Sequence, residues 1–161
     1  MGVHPLLLDL IGTPREIALL DPGTHVARGD TLARISREGR QLSVRSPVSG
    51  RIEGVYTEPA DQFGWRNARE REGEWLYRLL PDRLSEDAGT WLSGEAATTW
   101  VRRRYDEVRD YLLAAVADRH LGPMMADGGD LPVGVLGTFD QGVWSGLESR
   151  FLDPSATEAR P

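Results

Sequence analysis

Few side chains in this sequence could carry out covalent chemistry. None of the 161 residues is cysteine, which excludes thiol nucleophiles, thiolate metal sites and disulfides. None is lysine either, since all 19 residues counted as Lys or Arg are arginine. Arginine stays protonated and offers no primary amine. The chain therefore has no side chain that could form a Schiff base or an amide with a carried group.

The histidines and one pair of aspartates are the next candidates, and their spacing does not favour a metal site. His4, His25 and His120 lie far apart and lack the spacing typical of metal ligands. Two aspartates flank a glycine pair in residues 127–130, but a calcium loop needs more oxygen ligands at defined positions. We interpret that segment as a turn and predict no metal.

Other catalytic signals are weak. Acidic and basic residues are interspersed in residues 69–74 and 102–110, a pattern typical of solvated ion pairs. The sequence contains no phosphate-binding glycine loop with its lysine and no G-x-S-x-G motif. We predict that the protein is not an enzyme and holds no cofactor.

Composition sets further bounds. The chain is 40% hydrophobic and 27% charged, which is ordinary for a globular protein of one domain with an appendage. A net charge of -6 argues against general binding of nucleic acid. The sequence has no apolar run long enough to span a bilayer and no convincing signal peptide, so we expect a cytoplasmic location.

Residues 19–56 must position whatever site exists. Apolar residues recur there at about every second position, with Gly, Pro, Asp and Ser where the chain must reverse. This pattern predicts four short strands in two similar hairpins. A polar tip lies between the two halves and consists of Arg37, Glu38, Gly39 and Arg40.

Two turn motifs flank this tip, VARGDTL at residues 26–32 and SPVSGRI at residues 46–52. Together they resemble the lipoyl/biotinyl carrier fold, and more closely the glycine cleavage H protein and its relatives. In that family a lysine about eight positions before the proline carries the cofactor. Counting back from Pro47 leads to Gly39. The resemblance implies the carrier fold, whereas Gly39 implies that carrier chemistry is absent.

The resemblance covers about residues 15–100 and implies the fold class. We expect an α+β protein with a mainly β core, a lipoyl/biotinyl-type barrel-sandwich hybrid that forms a flattened β-barrel of two small sheets, followed by C-terminal helices. The predicted divisions are an apolar lead-in at 1–14, the β domain at 15–81, a helical extension at 82–152 and a polar tail at 153–161.

The lead-in contains Leu6, Leu7, Leu8, Leu10 and Ile11 and ends at a Gly-Thr-Pro sequence. We expect a strand or extended segment that packs on the barrel. The alternative is an anchor for a partner or a membrane surface. Membrane contact would then be indirect or through these residues.

After the barrel, helical patterns predominate. Ser85 is a candidate N-cap for a short helix within residues 82–92, and a long helix is predicted over 93–121. One apolar stripe follows the long helix, with Arg102, Arg103 and Arg104 mostly off it. A small barrel cannot cover this stripe, so part of it must meet the C-terminal segment or another protein.

The C-terminal segment predicts a further helix over residues 138–152. Thr138 and Gln141 match a capping box, and this helix could fold back on the long one. Earlier in the chain, Trp75, Tyr77 and Leu79 alternate as in a half-buried strand. Phe63 and Trp65 precede it in a loop and are interpreted as a lid on the barrel or as a contact site.

These observations favour a non-catalytic, non-lipoylated H-protein-like module that acts as a structural or adaptor subunit of a larger protein complex. The alternative is a non-covalent ligand-binding or regulatory module of the same fold, and an enzyme with dispersed catalytic residues is a third hypothesis. The candidate partner-binding residues are Arg37, Glu38, Arg40, Phe63, Trp65, Tyr105, Leu112 and Trp144.

Overall fold

A computed structural model of the chain describes residues 1–55, 76–89, 91–117 and 131–153. Its strands are β1 (Glu16–Leu19), β2 (His25–Val26), β3 (Thr31–Arg37), β4 (Arg40–Arg45), β5 (Gly50–Val55) and β6 (Tyr77–Pro81). Its α-helices are α1 (Pro5–Ile11), α2 (Leu84–Ala88), α3 (Gly94–Ala117) and α4 (Gln141–Leu147). A 3₁₀ helix (Val135–Thr138) precedes α4, and a π-helical turn (Glu148–Leu152) follows it.

The strands form two small antiparallel sheets. One sheet has the order β1-β3-β4 and the other the order β2-β5-β6. The four predicted strands within residues 19–56 are all present as β2 to β5. The expectation of a flattened barrel is confirmed only as two sheets with helices, because the strands described here do not close into a barrel.

The β3–β4 hairpin has a two-residue turn, as the polar tip predicts. Arg37 pairs with Arg40, and the turn residues Glu38 and Gly39 have φ angles of 51° and 77°. Two left-handed residues in succession are typical of the type I′ turn, whose twist matches that of the flanking strands. Gly39 adopts this conformation without the steric cost that a side chain would add.

The N-terminal lead-in is a helix, so the prediction of a strand is wrong. Pro5 occupies its first turn, and the Nδ1 atom of His4 accepts a hydrogen bond from the Leu6 amide at 3.2 Å. Proline lacks the N–H that the first helical turn leaves unpaired, so it fits there. The helix buries Leu7 and Ile11 by its four-residue spacing. The prediction that this segment packs within the chain is confirmed.

The helix caps differ from those predicted. Helix α2 has Arg83 at its N-cap and no capping hydrogen bond from a side chain, so Ser85 is not the cap. At α4 the N-cap is Asp140, whose carboxylate accepts a hydrogen bond from the Val143 amide at 3.2 Å. Thr138 instead donates to the carbonyl of Val135, because the chain first forms a 3₁₀ turn.

One hydrophobic core joins the helices to the β1-β3-β4 sheet. Its buried members include Ile35 and Leu42 from the sheet, Leu112 from α3 and Trp144 from α4. The hydroxyl of Tyr111 also donates to the carbonyl of Val143 at 3.1 Å. The C-terminal segment thus covers part of the long helix, one of the two possibilities that its length implied.

A second core lies between the two sheets and centres on Tyr77, which is fully buried. The predicted core role of this residue is confirmed. Its hydroxyl donates to the carbonyl of Leu32 at 2.5 Å and accepts from the amide of Leu20 at 2.8 Å. Burial raises the pKa of Tyr77.

The open edge of β4 is covered by the C-terminal helices. The side-chain amide of Gln141 accepts from the backbone N–H of Gln41 at 2.9 Å and donates to its carbonyl at 3.0 Å. Glu148 accepts from the Ser43 amide at 2.9 Å and from Arg45 at 3.2 Å. An unpaired strand edge invites association with other strands, and these side chains occupy its hydrogen-bonding groups.

Candidate functional site

The hairpin tip presents Gly39 to solvent. A methyl group built on this glycine would meet no atom within 4 Å, so the position is sterically open. The predicted turn therefore exposes the backbone of Gly39. This is the position at which the resemblance implies a lysine.

Arg37 points away from the tip, although sequence reasoning grouped it there. Its guanidinium donates to the carbonyl of Ile11, the last residue of α1. The guanidinium packs against three glycines, Gly12, Gly134 and Gly137. A Cβ atom added to any of these glycines would lie within 3.4 Å of the guanidinium. Arg37 therefore fastens the hairpin to the helices.

Glu38 and Arg40 are the two polar side chains that remain at the tip. Their carboxylate and guanidinium lie 3.4 Å apart, and Glu38 also lies 3.5 Å from Nε of Arg37. More than half of the Glu38 side chain is exposed. An ion pair in such a position contributes little to stability, so both groups are available for a partner at small cost.

The other predicted partner-binding residues do not lie at the hairpin tip. Leu112 and Trp144 are fully buried and pack inside the chain's own core, not at its surface. Tyr105 is half-buried, and its hydroxyl accepts from the Leu131 amide at 3.1 Å. Phe63 and Trp65 lie outside the described residues.

A groove that the sequence did not indicate lies beside the long helix. Trp91 and Leu92 are each 52% exposed and Trp100 is 38% exposed, although all three are large and apolar. They line a cavity of about 460 Å³ together with Arg28, Arg45, Pro47, Ala97, Val101, Phe151, Leu152 and Asp153. These residues come from separate parts of the sequence, so no local pattern could have indicated the groove.

A smaller pocket of about 100 Å³ adjoins the groove, and Arg104 lines it. This arginine is only 8% exposed, although we expected the arginine run to lie mostly off the apolar stripe. Its Nη1 donates to Glu107 at 2.8 Å. The spacing could have indicated this burial. Arg104 is four residues after Trp100 and four before Val108, so it lies on the same face of the helix as these two residues.

The described residues show no cluster of side chains suited to hold a metal ion. In them, no group of three or more His, Asp or Glu side chains is arranged to hold a metal ion. His25 lies within hydrogen-bond distance of Asp82 at the surface, with Nε2 and the carboxylate 2.9 Å apart. The contact links β2 to the residue that follows β6, on the two edge strands of the β2-β5-β6 sheet.

No helix in the described ranges combines the length and apolar character needed to cross a membrane. Of the apolar residues of α1, Leu7, Leu10 and Ile11 are buried in the first core, and Leu6 and Leu8 are half-buried.

The comparisons with known proteins agree with the turn motifs. No protein-family model matches the chain. The glycine cleavage system H protein of Hydrogenovibrio crunogenus is 26% identical over 86 residues, which are 53% of this chain and 67% of that protein. Among solved structures, the H protein from Mycobacterium marinum is 25% identical, with a TM-score of 0.41, over 55% of this chain and 74% of that one.

The turn motifs and the sequence match together support an H-protein-like domain of the lipoyl/biotinyl type. Within that class, the domain of this chain is similar to the H protein of the glycine cleavage system.

Proposed function

We propose that the chain is a non-catalytic, non-lipoylated H-protein-like module that acts as a structural or adaptor subunit in a protein complex. The observation that carries this proposal is the hairpin tip. The β3–β4 hairpin is present, but the position at which the resemblance expects the attachment lysine is Gly39. Since no lysine occurs anywhere in the chain, no other side chain can replace it.

The support around the hairpin favours a role in docking. Arg37, directly before the turn, ties the hairpin to α1, and Gln141 and Glu148 tie strand β4 to the C-terminal helices. A hairpin held on both sides loses little conformational entropy when a partner binds its tip. The exposed Glu38 and the half-buried Arg40 would supply polar contacts to that partner.

The experiment begins with a mild pull-down of the tagged full chain from its host, followed by purification of the stoichiometric partner. The affinity of the purified partner is then measured for the wild type and for the double variant Glu38→Ser/Arg40→Ser. We expect the variant to bind about tenfold more weakly, which corresponds to ~1.4 kcal/mol.

The control is the double variant Arg83→Ser/Glu86→Ser. This pair is also an exposed arginine and glutamate, 3.3 Å apart, but it lies at α2 and not at the hairpin. It should leave the affinity unchanged. A chain that retains no partner, or equal affinities for the two double variants, would remove the basis for a docking role of the tip.

A further inference from the structure

The groove and the small pocket lie side by side, and together they are called the cleft. The groove measures about 460 Å³, within the range of small-molecule sites. The pocket, called the inner end of the cleft, adds about 100 Å³. Both are lined by Trp100, Val101, Phe151 and Leu152, so the two cavities adjoin at these four residues.

The inner end of this cleft is apolar. Leu7 and Leu10 of α1 face Val108 of α3 and Leu147 of α4 across it. Apolar cavities of this kind stay dry and accept hydrocarbon groups, as an engineered cavity of about 150 Å³ that binds benzene shows. The inner pocket is somewhat smaller and suits the end of an alkyl chain.

The outer end of the cleft is cationic. Arg28 and Arg45 line the groove there and do not line the inner pocket. Arg45 donates through its two terminal nitrogens, to the carbonyl of Gly29 at 3.0 Å and to Glu148 at 3.2 Å. Asp153 also lines this groove, so one carboxylate lies in the same cavity as the two guanidinium groups.

Two unused hydrogen-bond donors lie along the cleft. Within the described part of the chain, the buried side-chain polar atoms without a hydrogen-bond partner are Nε of Arg45 and Nε of Arg104. The first arginine lines the groove and the second the pocket. Buried donors left unpaired cost free energy, so a movement of the Arg45 side chain that brings Nε to an acceptor group on a ligand in the groove would lower that cost.

Arg104 also shapes the passage between groove and pocket. Its guanidinium carbon lies 5.3 Å from the centre of the Trp100 ring and 6.0 Å from that of Phe151. These cation–π contacts hold both rings at the junction, where they present apolar surface to the cleft. The cleft is thus narrow and aromatic at its middle.

We propose that this cleft binds a small monocarboxylate with an unbranched apolar chain. The chain enters the inner pocket between α1 and α3, its middle contacts Trp100 and Phe151, and its carboxylate meets Arg45 and Arg28. A carboxylate matches the geometry of a guanidinium better than a neutral head group does. This site does not depend on the hairpin tip or on the proposed adaptor role.

The test is isothermal titration calorimetry of the full chain with decanoate, below its micellar concentration. Decanol and decyltrimethylammonium test the head group, and acetate tests the need for the chain. We expect saturable one-to-one binding of decanoate, about tenfold weaker binding of decanol, and no binding of the cation or of acetate.

Two variants test where the alkyl chain of the ligand binds. Trp100→Ala removes apolar wall at an exposed position, and Val101→Trp fills the junction that both cavities share. Each should weaken decanoate binding about tenfold or more. Leu80→Ala is the control, since Leu80 is also exposed and apolar but lies on β6, away from the cleft.

Two further variants locate the carboxylate. Arg28→Gln and Arg45→Gln should bring the affinity for decanoate close to that for decanol. The arginine control is Arg51→Gln, on the exposed side of β5. Arg45→Gln also removes the contact with Glu148 and could unfold the protein. In that case Arg28→Gln alone still tests whether the carboxylate binds here.

Three outcomes would overturn the proposal: no saturable binding of decanoate, binding that survives both Trp100→Ala and Val101→Trp, or equal affinity for decanoate and decanol. None of these depends on whether the hairpin tip binds a protein partner.

Discussion

The guanidinium of Arg37 donates a hydrogen bond to the carbonyl of Ile11, which places a cation from the hairpin at the C-terminus of α1. The carbonyls at a helix C-terminus carry partial negative charge, so this contact is favourable in both geometry and sign. The close approach requires glycine beneath the guanidinium, at Gly12 and Gly134 in particular. The orientation of the hairpin relative to the helices therefore depends in part on Arg37, together with the contacts that Gln141 and Glu148 make to β4.

Gly134→Ala tests this dependence, with Gly39→Ala as its matched control. Both glycines have a φ of 77°, so alanine pays a similar backbone cost of about 1 kcal/mol at either position. At Gly134 the new Cβ would also lie 2.7 Å from Nη1 of Arg37, whereas at Gly39 it meets nothing. We expect Gly134→Ala to lower the free energy of unfolding by about 1–2 kcal/mol more than Gly39→Ala.

Urea denaturation of both variants measures that difference, and the same pair in an Arg37→Ala background identifies its cause. If the guanidinium is the obstacle, the two alanine substitutions become equal once Arg37 is removed. The amide of Gly134 also donates to the carbonyl of Asp9 in α1 at 2.6 Å, and a difference that persists without Arg37 would assign the cost to that backbone contact instead.

Glu148→Ala is expected to loosen the edge of the first sheet. The carboxylate accepts from the amide of Ser43 and from the guanidinium of Arg45, and the substitution leaves both donors without this partner. We expect a loss of about 1–3 kcal/mol in the free energy of unfolding. Chemical denaturation measures it, and earlier elution in gel filtration would report edge-to-edge association.

Two comparisons make that prediction specific. Glu148→Gln keeps an acceptor for Ser43 and should cost less than Glu148→Ala. Glu86→Ala removes an exposed ion pair with Arg83 and should change stability by less than about 0.5 kcal/mol. Equal losses for Glu148→Ala and Glu86→Ala would show that the edge contacts do not stabilise the fold.

Tyr77→Phe isolates a buried hydroxyl between the sheets. The substitution keeps the ring in the second core but leaves the carbonyl of Leu32 and the amide of Leu20 without their shared partner. We expect a loss of about 1–3 kcal/mol by thermal or chemical denaturation. Tyr105→Phe should cost less, because Tyr105 is only half-buried and water can replace its contact with Leu131. A larger loss for Tyr105→Phe than for Tyr77→Phe would contradict the prediction. It would show that the contact between Tyr105 and Leu131 contributes more to stability than the buried hydroxyl of Tyr77 does.

The sequence predicted the strands better than the helices, and the reason is physical. Alternating apolar residues and a Glu-Gly turn define β3, β4 and the tip locally, since both the strand period and the turn conformation are properties of neighbouring residues. The α1 segment is different because nearly every residue from Leu6 to Ile11 is apolar, which hides the helical period. Its signals were Pro5 at the start and Gly12 at the end.

The candidate sites divide in the same way. The hairpin tip could be predicted because Glu38, Gly39 and Arg40 are consecutive. The groove could not, because Trp91, Trp100 and Phe151 converge only through packing of α3 on the C-terminal helices. Leu112 was predicted as a partner contact because the apolar stripe of the long helix exceeded what a small barrel could cover, whereas Trp144, also a predicted contact, belongs to the C-terminal helix. The chain's own C-terminal segment covers that part of the stripe.

The N-cap of α1 predicts a dependence of stability on pH. The Nδ1 atom of His4 accepts the Leu6 amide only while that nitrogen is unprotonated, and partial burial lowers the pKa of His4 from its ordinary value of 6.5. Because the folded state holds the proton less tightly than the unfolded state does, the contribution of His4 is complete above pH 6.5. It decreases as the pH falls through the lowered pKa.

His4→Asn is the variant that measures this contribution. Asparagine also caps helices but does not titrate in this range, so the variant keeps the cap and removes the proton. The difference in free energy of unfolding between the wild type and His4→Asn, taken from denaturation at pH 5 to 8, should move in favour of the variant as the solution becomes more acidic. Since other titrating groups are common to both proteins, they cancel in this difference. A difference that is constant across the range would show that His4 has the same pKa in the folded and unfolded states.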